Sequence, residues 1–402
     1  MTGKTERAQV VIAGAGPVGC VAATYLAQRG IDVILAESGG DSAQDLRAST
    51  FHPPSLEMLD TLGIAEELIA MGLNAPVYHW RDRRSGEVIS FDLSEISDAT
   101  RFPFRIQCEQ YHLAHMLARK LESQPSARVM FGHRVVHFQQ DESGVDVALE
   151  HVTGLTKVRA DYLIGADGAN SLVRKWMDVD FHGFTYAEKF LCLSTETPLE
   201  AEIPNLAYVN YVSDPDEWLV LLRVPSLWRV LVPATEADDA GYLVSDAKKN
   251  QVFGGLLADG EAVKTRHRTI YSVHQRVAKS FRTGRVLLMG DSAHLNNPLG
   301  GFGMNSGIHD AFNGCEKLVS VLEGKEDAEI LGVYDRQRRT VTHDFIQQQT
   351  IENMALMRAG QSEAHARRLA QMQAVAADPE KRRAYMMRQA MFTSLEDASR
   401  IA

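Results

Sequence analysis

A glycine-rich turn near the N-terminus constrains the fold of this chain more than any other feature. The pattern Gly14-x-Gly16-x-x-Gly19 follows an apolar segment at 9–13 and precedes a helical pattern over 18–29, and a second apolar segment covers 32–36. Glycines at this spacing permit a tight turn, a close approach of the backbone to a pyrophosphate, and close packing of helix on strand. The sequence therefore predicts a β-α-β unit that binds a dinucleotide at the start of its helix.

Glu37 strengthens this prediction. It lies 18 residues after Gly19, at the end of the second predicted strand. A carboxylate in that position can accept hydrogen bonds from an adenosine ribose. The alternative interpretation is a glycine turn followed by a surface acid. The turn alone does not distinguish FAD from NAD.

Two later segments each place an acid after a predicted buried strand. The first contains Asp167-Gly168 and continues to Arg174, and the second begins at Gly290-Asp291 and continues through the glycine-rich run at 300–303. With the N-terminal turn they form an ordered set of three motifs, which is much more specific than any one of them.

In this order the motifs resemble the class A flavoprotein aromatic hydroxylases, which are single-component FAD monooxygenases of the p-hydroxybenzoate hydroxylase type. The resemblance extends over about residues 8–340 and includes Arg47-Ala48, Gln110-Tyr111-His112-Leu113, His309–Asn313 and Tyr334–Arg339. It implies FAD as the cofactor and NADPH or NADH as the electron donor. It also implies that a C4a-hydroperoxyflavin transfers one oxygen atom to a ring carbon of the substrate.

The resemblance also implies roles for individual residues at the cofactor. Arg47 and Gln110 would flank the flavin, while Asp167 and Arg174 would hold the cofactor and help to admit the nicotinamide donor. For Asp167 the alternative is an acid that caps a turn or helix. Asp291 can bond the ribityl hydroxyls, and a helix from about Asn305 would direct N–H groups at the flavin pyrimidine. The cofactor-binding residues predicted are Gly14, Gly16, Gly19, Glu37, Arg47, Gln110, Asp167, Arg174, Asp291, Gly303, Met304 and Asn305.

The substrate-side residues are predicted less sharply. Pro298 lies where the family presents a proline carbonyl near the substrate, and Arg229 and Tyr211 are the preferred residues of the β-rich segment. An aromatic side chain in an alternating strand is more often part of the core than a substrate contact. Other candidates in this segment are Tyr208, Trp218, Arg223, Trp228 and His182. For His294 a packing role is favoured over proton transfer.

The charge balance and the cysteines narrow the class of protein. Lys and Arg number 42 against 52 Asp and Glu, a net charge of −10, which argues against a nucleic-acid-binding surface. The four cysteines form no C-x-x-C pair, and no apolar stretch reaches about 18 residues. We therefore expect a cytoplasmic protein that acts on a small molecule and binds neither nucleic acid nor a membrane. The resemblance implies that its partners are a small aromatic substrate and O₂, and we expect a monomer or homodimer.

No metal site is predicted. His112 and His115 lie three residues apart on a predicted helix, but the sequence interpretation finds no nearby acid or third histidine to complete a ligand set.

The predicted fold is α/β, with a Rossmann-like FAD-binding domain interleaved with a β-sheet substrate domain and a C-terminal helical segment. The FAD-binding parts are 1–75, 105–180 and 276–340. The substrate side comprises an insertion at 76–104 and the β-rich domain at 181–275, and the helical segment covers 341–402.

The predicted function is NAD(P)H- and O₂-dependent hydroxylation of a phenolic or hydroxylated N-heteroaromatic substrate. Alternatives are a flavin-dependent halogenase, a quinone-pathway hydroxylase or isoprenoid reductase, and a flavin-binding regulator without turnover. Halogenases usually carry a Trp-x-Trp-x-Ile-Pro segment, and no two tryptophans here are two residues apart. The choice between NADPH and NADH stays open.

Overall fold

The computed structural model describes residues 5–42, 48–214, 217–234, 238–357 and 363–402, except for the side chains of 363–365. These residues form nineteen strands: β1 (Glu6–Ala13), β2 (Val33–Glu37), β3 (Thr50–Phe51), β4 (Leu73–Ala75), β5 (Val77–Asp82), β6 (Val88–Asp92), β7 (Arg105–Gln107), β8 (Ala127–Phe131), β9 (Arg134–Asp141), β10 (Gly144–His151), β11 (Gly154–Gly165), β12 (Phe181–Thr195), β13 (Val209–Ser213), β14 (Leu219–Val224), β15 (Leu227–Ala234), β16 (Thr265–Ala278), β17 (Arg282–Thr283), β18 (Val286–Leu288) and β19 (His294–Leu295).

The same residues form thirteen α-helices: α1 (Pro17–Ala27), α2 (Pro53–Thr61), α3 (Ala65–Met71), α4 (Gln110–Glu122), α5 (Leu172–Trp176), α6 (Ala240–Leu243), α7 (Asp246–Gly254), α8 (Phe302–Leu322), α9 (Ile330–Val341), α10 (Gln348–Met357), α11 (Glu363–Ala377), α12 (Pro379–Gln389) and α13 (Phe392–Ser399). Short 3₁₀ turns cover Leu93–Ile96, Leu199–Ala201 and Gly290–Ser292, and a π-helical turn covers Thr342–Gln347.

The first sheet confirms the predicted β-α-β unit. Its strand order is β17-β18-β11-β1-β2-β8, and β1 runs parallel to both β2 and β11. Helices α1 and α8 pack together over this sheet, and the apolar residues of β1, β2 and β11 are almost fully buried. Near-continuous apolar strands of this kind are typical of a parallel sheet that is covered on both faces. The predicted α/β fold is confirmed.

The second sheet, ordered β19-β16-β12-β15-β14-β13-β5-β6, is antiparallel except for the parallel pair β13 and β5. Side chains along a strand alternate between its two faces. On β14, Val220 and Leu222 therefore face a cavity, while Leu219 and Leu221 join a separate core on the opposite face. The same alternation on β15 separates Arg229 and Leu231 from Trp228, Val230 and Val232.

The C-terminal helices cover the β5–β6 end of the second sheet. Nε1 of Trp80 donates a hydrogen bond to the hydroxyl of Tyr385 at 3.2 Å, and the ring of Tyr385 lies 4.7 Å from that of Phe91. Buried methionines of α10, α11 and α12 join the same core. The domain boundaries given above stay a prediction.

Two local details differ from the sequence interpretation. Helix α8 begins at Phe302 instead of Asn305, because Gly301 adopts a left-handed conformation (φ 72°) and starts the helix directly after the turn. The segment 181–275 also contains α6 and α7, each capped by a side chain of the preceding residue, Asp239 or Ser245.

Candidate active site

The three glycines of the turn between β1 and α1 differ in what a side chain at each position would contact. Gly14 has a φ of 98°, and a Cβ placed on it would lie 2.5 Å from the carbonyl oxygen of Ala166. A Cβ on Gly19 would lie 1.9 Å from the carbonyl oxygen of Gly14, so this position sets the packing of α1. Around Gly16 no atom of the described residues would lie within 4 Å of a Cβ. The backbone at Gly16 is therefore open to a ligand.

Glu37 closes this turn from the end of β2. Its Oε2 accepts a hydrogen bond from the amide of Ala15 at 2.8 Å, and its Oε1 accepts one from the amide of Gly39 at 2.8 Å. Gly14, Gly16 and Glu37 all line one cavity of about 640 Å³. The predicted ribose-binding carboxylate thus lies beside the open glycine, at the N-terminus of α1.

This cavity extends from the carboxyl ends of the first sheet to the inner face of the second sheet. Its walls include Ala166 and Asp167 after β11, Met289 and Asp291 after β18, and side chains of β12 to β16. Ligands of open α/β sheets bind at the carboxyl ends of the strands, which is the position of this cavity.

Asp167 lies on the cavity wall, but its carboxylate caps α5. Oδ2 accepts hydrogen bonds from the amides of Leu172 at 2.7 Å and Val173 at 3.2 Å, as the helix-cap alternative expects. Arg174 is 5 % exposed and is not a lining residue. Its guanidinium donates to the carbonyls of Ser292 at 2.7 Å and Ala169 at 2.8 Å, so it ties the Asp167 loop to the Asp291 loop. Its predicted role at the cofactor stays a prediction.

Asp291 lines the cavity from the 3₁₀ turn after β18, and a buried acid fixes that turn. Oδ2 of Asp310 accepts hydrogen bonds from the amide of Gly290 at 3.0 Å and from His294 Nε2 at 2.8 Å. Burial would raise the pKa of Asp310, but His294 and Arg338 hold it below its usual range. The packing role favoured for His294 agrees with this contact.

The N-terminus of α8 faces the same cavity. Gly301, Gly303 and Met304 are lining residues, and the first amides of a helix have no partners within it. Asn305 is buried and is not on the wall. Its side chain accepts from the amide of His52 at 2.9 Å and donates to the carbonyl of Thr50 at 2.8 Å, which fixes the wall strand β3. The expected contacts of Met304 and Asn305 with the flavin stay predictions.

Of the pair expected to flank the flavin, Gln110 is the first residue of α4 and lines the cavity. Its backbone amide donates a hydrogen bond to the carbonyl of Ala48 at 2.9 Å. Arg47 lies outside the described residues.

All three predicted substrate-side residues line the cavity. Tyr211 stacks on Trp80 with ring centroids 4.8 Å apart, Arg229 projects from β15 beside Ser49, and Pro298 precedes the glycine turn of α8. The other candidates are placed elsewhere. Tyr208 is 40 % exposed, His182 pairs with Asp180 at 3.6 Å, Trp218 packs on Phe190, and Trp228 donates to Glu200 with Arg223 over its ring.

Sequence reasoning missed several wall residues of the second sheet. These are mostly apolar or aromatic side chains of alternating strands, namely Cys192, Val220, Leu222, Leu231, Tyr271 and Val273. The period-two alternation could have assigned them to one face, but not chosen the face that meets the cofactor layer.

The statement that no acid lies near His112 is wrong. Glu109 Oε2 lies 3.9 Å from His112 Nε2, because Glu109 directly precedes α4 and His112 lies in its first turn. Potential ligand atoms of Cys108, Glu109 and His112 all lie within 4.8 Å of one another. Burial and the nearby Glu109 raise the pKa of the Cys108 thiol to about 12, so its thiolate form is disfavoured. The absence of a metal site stays a prediction.

The residues that form the cavity walls fit an FAD molecule. The open backbone at Gly16 and the N-terminus of α1 suit a pyrophosphate, and the N-terminus of α8 with Gly303 and Met304 suits the electron-rich end of a flavin. No helix among the described residues is both long and apolar enough to cross a membrane.

Comparison with known proteins agrees with this geometry. The chain matches the family described as FAD binding domain over residues 7–349. It is 29 % identical over 356 residues to para-nitrophenol 4-monooxygenase of Pseudomonas sp. (strain WBC-3), covering 87 % of each chain. It is 30 % identical over 351 residues to 6-hydroxy-3-succinoylpyridine 3-monooxygenase HspB of Pseudomonas putida (strain DSM 28022 / S16), covering 86 % of this chain and 88 % of that protein.

Among solved structures, the p-nitrophenol 4-monooxygenase PnpA from Pseudomonas putida DLL-E4 superimposes with a TM-score of 0.90 at 27 % identity, covering 97 % of this chain and 99 % of that one. The chain belongs to the FAD binding domain family of flavoproteins. Within it, the protein is an FAD-dependent aromatic monooxygenase that uses NAD(P)H as the electron donor, which confirms the predicted class, enzyme type and cofactor.

Proposed function

We propose that the enzyme hydroxylates a phenol or a hydroxylated N-heteroaromatic ring. The observation that carries this proposal is the composition of the cavity at the second sheet. Apolar side chains such as Val220, Leu222 and Leu231 form most of this wall, and Tyr211 and Arg229 bring polar groups to it. Such a wall suits a flat apolar ring that carries a hydroxyl. Two of the relatives, a nitrophenol monooxygenase and a hydroxypyridine monooxygenase, support the same substrate class.

When bound, FAD supplies the redox chemistry, accepting a hydride from NAD(P)H and activating O₂. The protein itself binds the cofactor and the substrate, orients the substrate ring and excludes water. Pro298 lies on the cavity wall shortly before the N-terminus of α8 and is our candidate for contacting the substrate ring. Tyr211 and Arg229 are our candidates for holding the ring hydroxyl in place. The apolar wall keeps water away from the reacting atoms, where it would divert the activated oxygen.

The central experiment measures turnover with the purified protein. We expect a yellow protein that releases FAD on denaturation and oxidises NADPH or NADH faster when a suitable phenol or hydroxypyridine is added. The product should have gained one oxygen atom by mass. A protein without bound FAD, or one whose NAD(P)H oxidation no such ring stimulates, would contradict the proposal.

Matched variants test the substrate-side residues. We expect Tyr211→Phe and Arg229→Gln to raise the substrate KM at least tenfold, about 1.4 kcal/mol, with unchanged FAD content. Tyr208→Phe and Arg223→Gln are the controls, because neither residue lines the cavity. Equal effects in both sets would remove Tyr211 and Arg229 from the substrate site.

The halogenase, quinone-pathway and regulator alternatives find no support in the relatives named above. All four cysteines are buried and unpaired, which agrees with the proposed cytoplasmic location. Whether the enzyme is a monomer or a homodimer stays a prediction that sedimentation would test.

A further inference from the structure

Arg105 in β7 is a buried arginine that forms no ion pair with any of the described residues. The residue is 1 % exposed, and its Nε and Nη1 atoms have no hydrogen-bond partner among the described residues. The guanidinium carbon lies 4.2 Å from the centroid of the Tyr78 ring. By contrast, the buried Arg338 pairs with Asp310, and Arg174 donates to two backbone carbonyls.

An uncompensated buried cation is costly, and folded proteins retain one where a ligand or a function offsets the cost. Gln107, two residues along β7 and therefore on the same face of the strand, also has a buried Nε2 without a partner among the described residues. The hydroxyl of Tyr78 is also buried and has no hydrogen-bond partner among the described residues. Three residues with unsatisfied buried polar atoms, Arg105, Gln107 and Tyr78, thus lie on β7 or in contact with Arg105.

This cluster lies directly behind the substrate end of the cavity. Strand β7 pairs with β3, and Oγ1 of Thr50, a cavity residue, donates to Oε1 of Gln107 at 3.0 Å. Tyr78 pairs in register with Val209 on β13, the strand that carries the cavity residue Tyr211. Arg105 therefore belongs to a strand that contacts the cavity wall, and its guanidinium contacts Tyr78 on the neighbouring strand β5.

The carboxylates of the described lining residues lie at the opposite end of the cavity from the substrate end. Among the described lining residues they are Glu37, Asp167 and Asp291, which follow strands of the first sheet. Among the described residues, the titratable and charged groups that line the substrate end are Cys192 on β12, Tyr211 on β13, Arg229 on β15, and Tyr271 and His274 on β16. Behind this wall lie Tyr78 on β5, His52 after β3 and Tyr385 on α12. Burial lowers the pKa of His52, and the charge of Arg105 lowers it further, so His52 is neutral and adds no charge of its own.

We propose that Arg105 is a specificity-determining residue: its uncompensated charge makes the substrate end electropositive, so that the cavity selects phenols in their ionised form. The inference rests on the proposed function and specifies the ionisation state in which the substrate binds. Arg105 acts through the electrostatic potential across Thr50 and Tyr78, where the low dielectric of the interior preserves its effect. An ionised phenol is also the more electron-rich ring.

The test uses 4-nitrophenol as the probe, because its phenolate and phenol forms absorb at different wavelengths. The probe is bound to the FAD-loaded enzyme without NAD(P)H, and its absorbance is titrated against pH. For the native enzyme we expect the pKa of the bound probe to lie below that of the free probe. We expect Arg105→Gln to raise the bound pKa by about one unit or more, a tenfold change, and Arg105→Lys to restore most of the shift.

Arg101→Gln is the matched control, because Arg101 is exposed and pairs with Asp60 on the surface. FAD content and melting temperature report whether each variant folds. A bound pKa that is the same in Arg105→Gln and the native enzyme overturns the inference.

A second measurement needs no variant. Native enzyme is titrated with 4-nitrophenol and with 4-nitroanisole, which cannot ionise, across the pKa of the free phenol. We expect the affinity for the phenol, relative to the anisole, to increase with pH. An enzyme that hydroxylates phenols but binds 4-nitrophenol no more tightly as it ionises contradicts the inference and leaves the proposed function intact. Failure of every phenol to stimulate NAD(P)H oxidation contradicts both.

Discussion

Nε of Arg338 donates a hydrogen bond to Oδ1 of Asp310 across 2.6 Å, and neither side chain is exposed to solvent. The other oxygen of Asp310 accepts the amide of Gly290, the residue before Asp291. The ion pair between α8 and α9 therefore fixes the turn on which the predicted ribityl contact depends.

Removing the cation of this pair should destabilise both the fold and the cofactor site. We expect Arg338→Leu to lower the free energy of unfolding by about 3–5 kcal/mol, because it removes the arginine that pairs with the buried carboxylate of Asp310. FAD affinity should fall as well, since the Gly290 turn loses its support. Chemical denaturation and FAD release measure the two effects.

Arg339 offers the matched control one residue further on. It pairs with Asp335 on a partly exposed face, at 3.2 Å. Arg339→Leu should cost less than about 1 kcal/mol. A similar loss of unfolding free energy in the two variants would show that the buried Arg338–Asp310 pair stabilises the protein no more than the partly exposed Arg339–Asp335 pair.

The glycine turn predicts a separation of binding from stability. Gly16→Ala should weaken FAD binding at least tenfold, about 1.4 kcal/mol, because the added Cβ points into open space that a pyrophosphate would fill. The apoprotein should lose less than about 1 kcal/mol of stability. Fluorescence titration with FAD and denaturation of the apoprotein provide the two readouts.

Gly19→Ala should give the opposite result. Its Cβ would lie 1.9 Å from the carbonyl oxygen of Gly14, so the backbone must shift. We expect a loss of about 1–3 kcal/mol in the apoprotein. If Gly16→Ala bound FAD normally, the pyrophosphate would have to lie elsewhere.

Neighbouring leucines on β14 should respond differently to truncation. Leu222→Ala enlarges the cavity and should raise the substrate KM about tenfold or more with little change in stability. Leu221→Ala, on the other face, should cost about 2–5 kcal/mol of stability and leave the KM unchanged. Steady-state kinetics and denaturation distinguish them, and a KM effect from Leu221→Ala alone would reverse the assignment of the two faces.

His309 should make the protein sensitive to acid. Burial and the charge of Arg338 lower its pKa to about 3, whereas the unfolded chain takes up this proton near pH 6.5. The unfolded state therefore binds more protons between these values, and stability falls with decreasing pH by about 1.4 kcal/mol per unit. Above about pH 6.5 the effect vanishes.

His309→Asn should remove this contribution. Between pH 6.5 and 5.0 the variant should lose about 2 kcal/mol less than the native protein, measured by denaturation at each pH with saturating FAD. His267→Asn, at an exposed histidine, should follow the native profile. An unchanged acid slope in His309→Asn would mean that other groups cause the sensitivity.

The features that the sequence predicted well are those governed by local geometry. The turn from Gly14 to Gly19 and the carboxylate of Glu37 act within one β-α-β unit, so their spacing specifies their positions. The helix-cap contacts of Asp167 are also local, and the sequence interpretation held them as an alternative. The position of Asp291 likewise follows from the buried strand that directly precedes it in the sequence.

What the sequence could not predict depends on contacts between distant segments. Leu222 and Tyr271 are cavity residues only because their strands turn one face toward the first sheet. Arg105 looks like an ordinary charged residue until the pairing of β7 with β3 buries it. The proximity of Glu109 to His112, by contrast, was readable from the sequence and was missed.

The interleaving of the two sheets has a consequence for synthesis of the chain on the ribosome. Val10 pairs with Tyr162, and Leu163 pairs with Val286, so the first sheet is complete only after all strands of the second sheet except β19 have been translated. The nascent N-terminal strand must therefore wait, with its apolar edge unpaired, for partners that emerge much later. Chaperone binding during translation should accordingly be concentrated on the segment that contains β1 and β2.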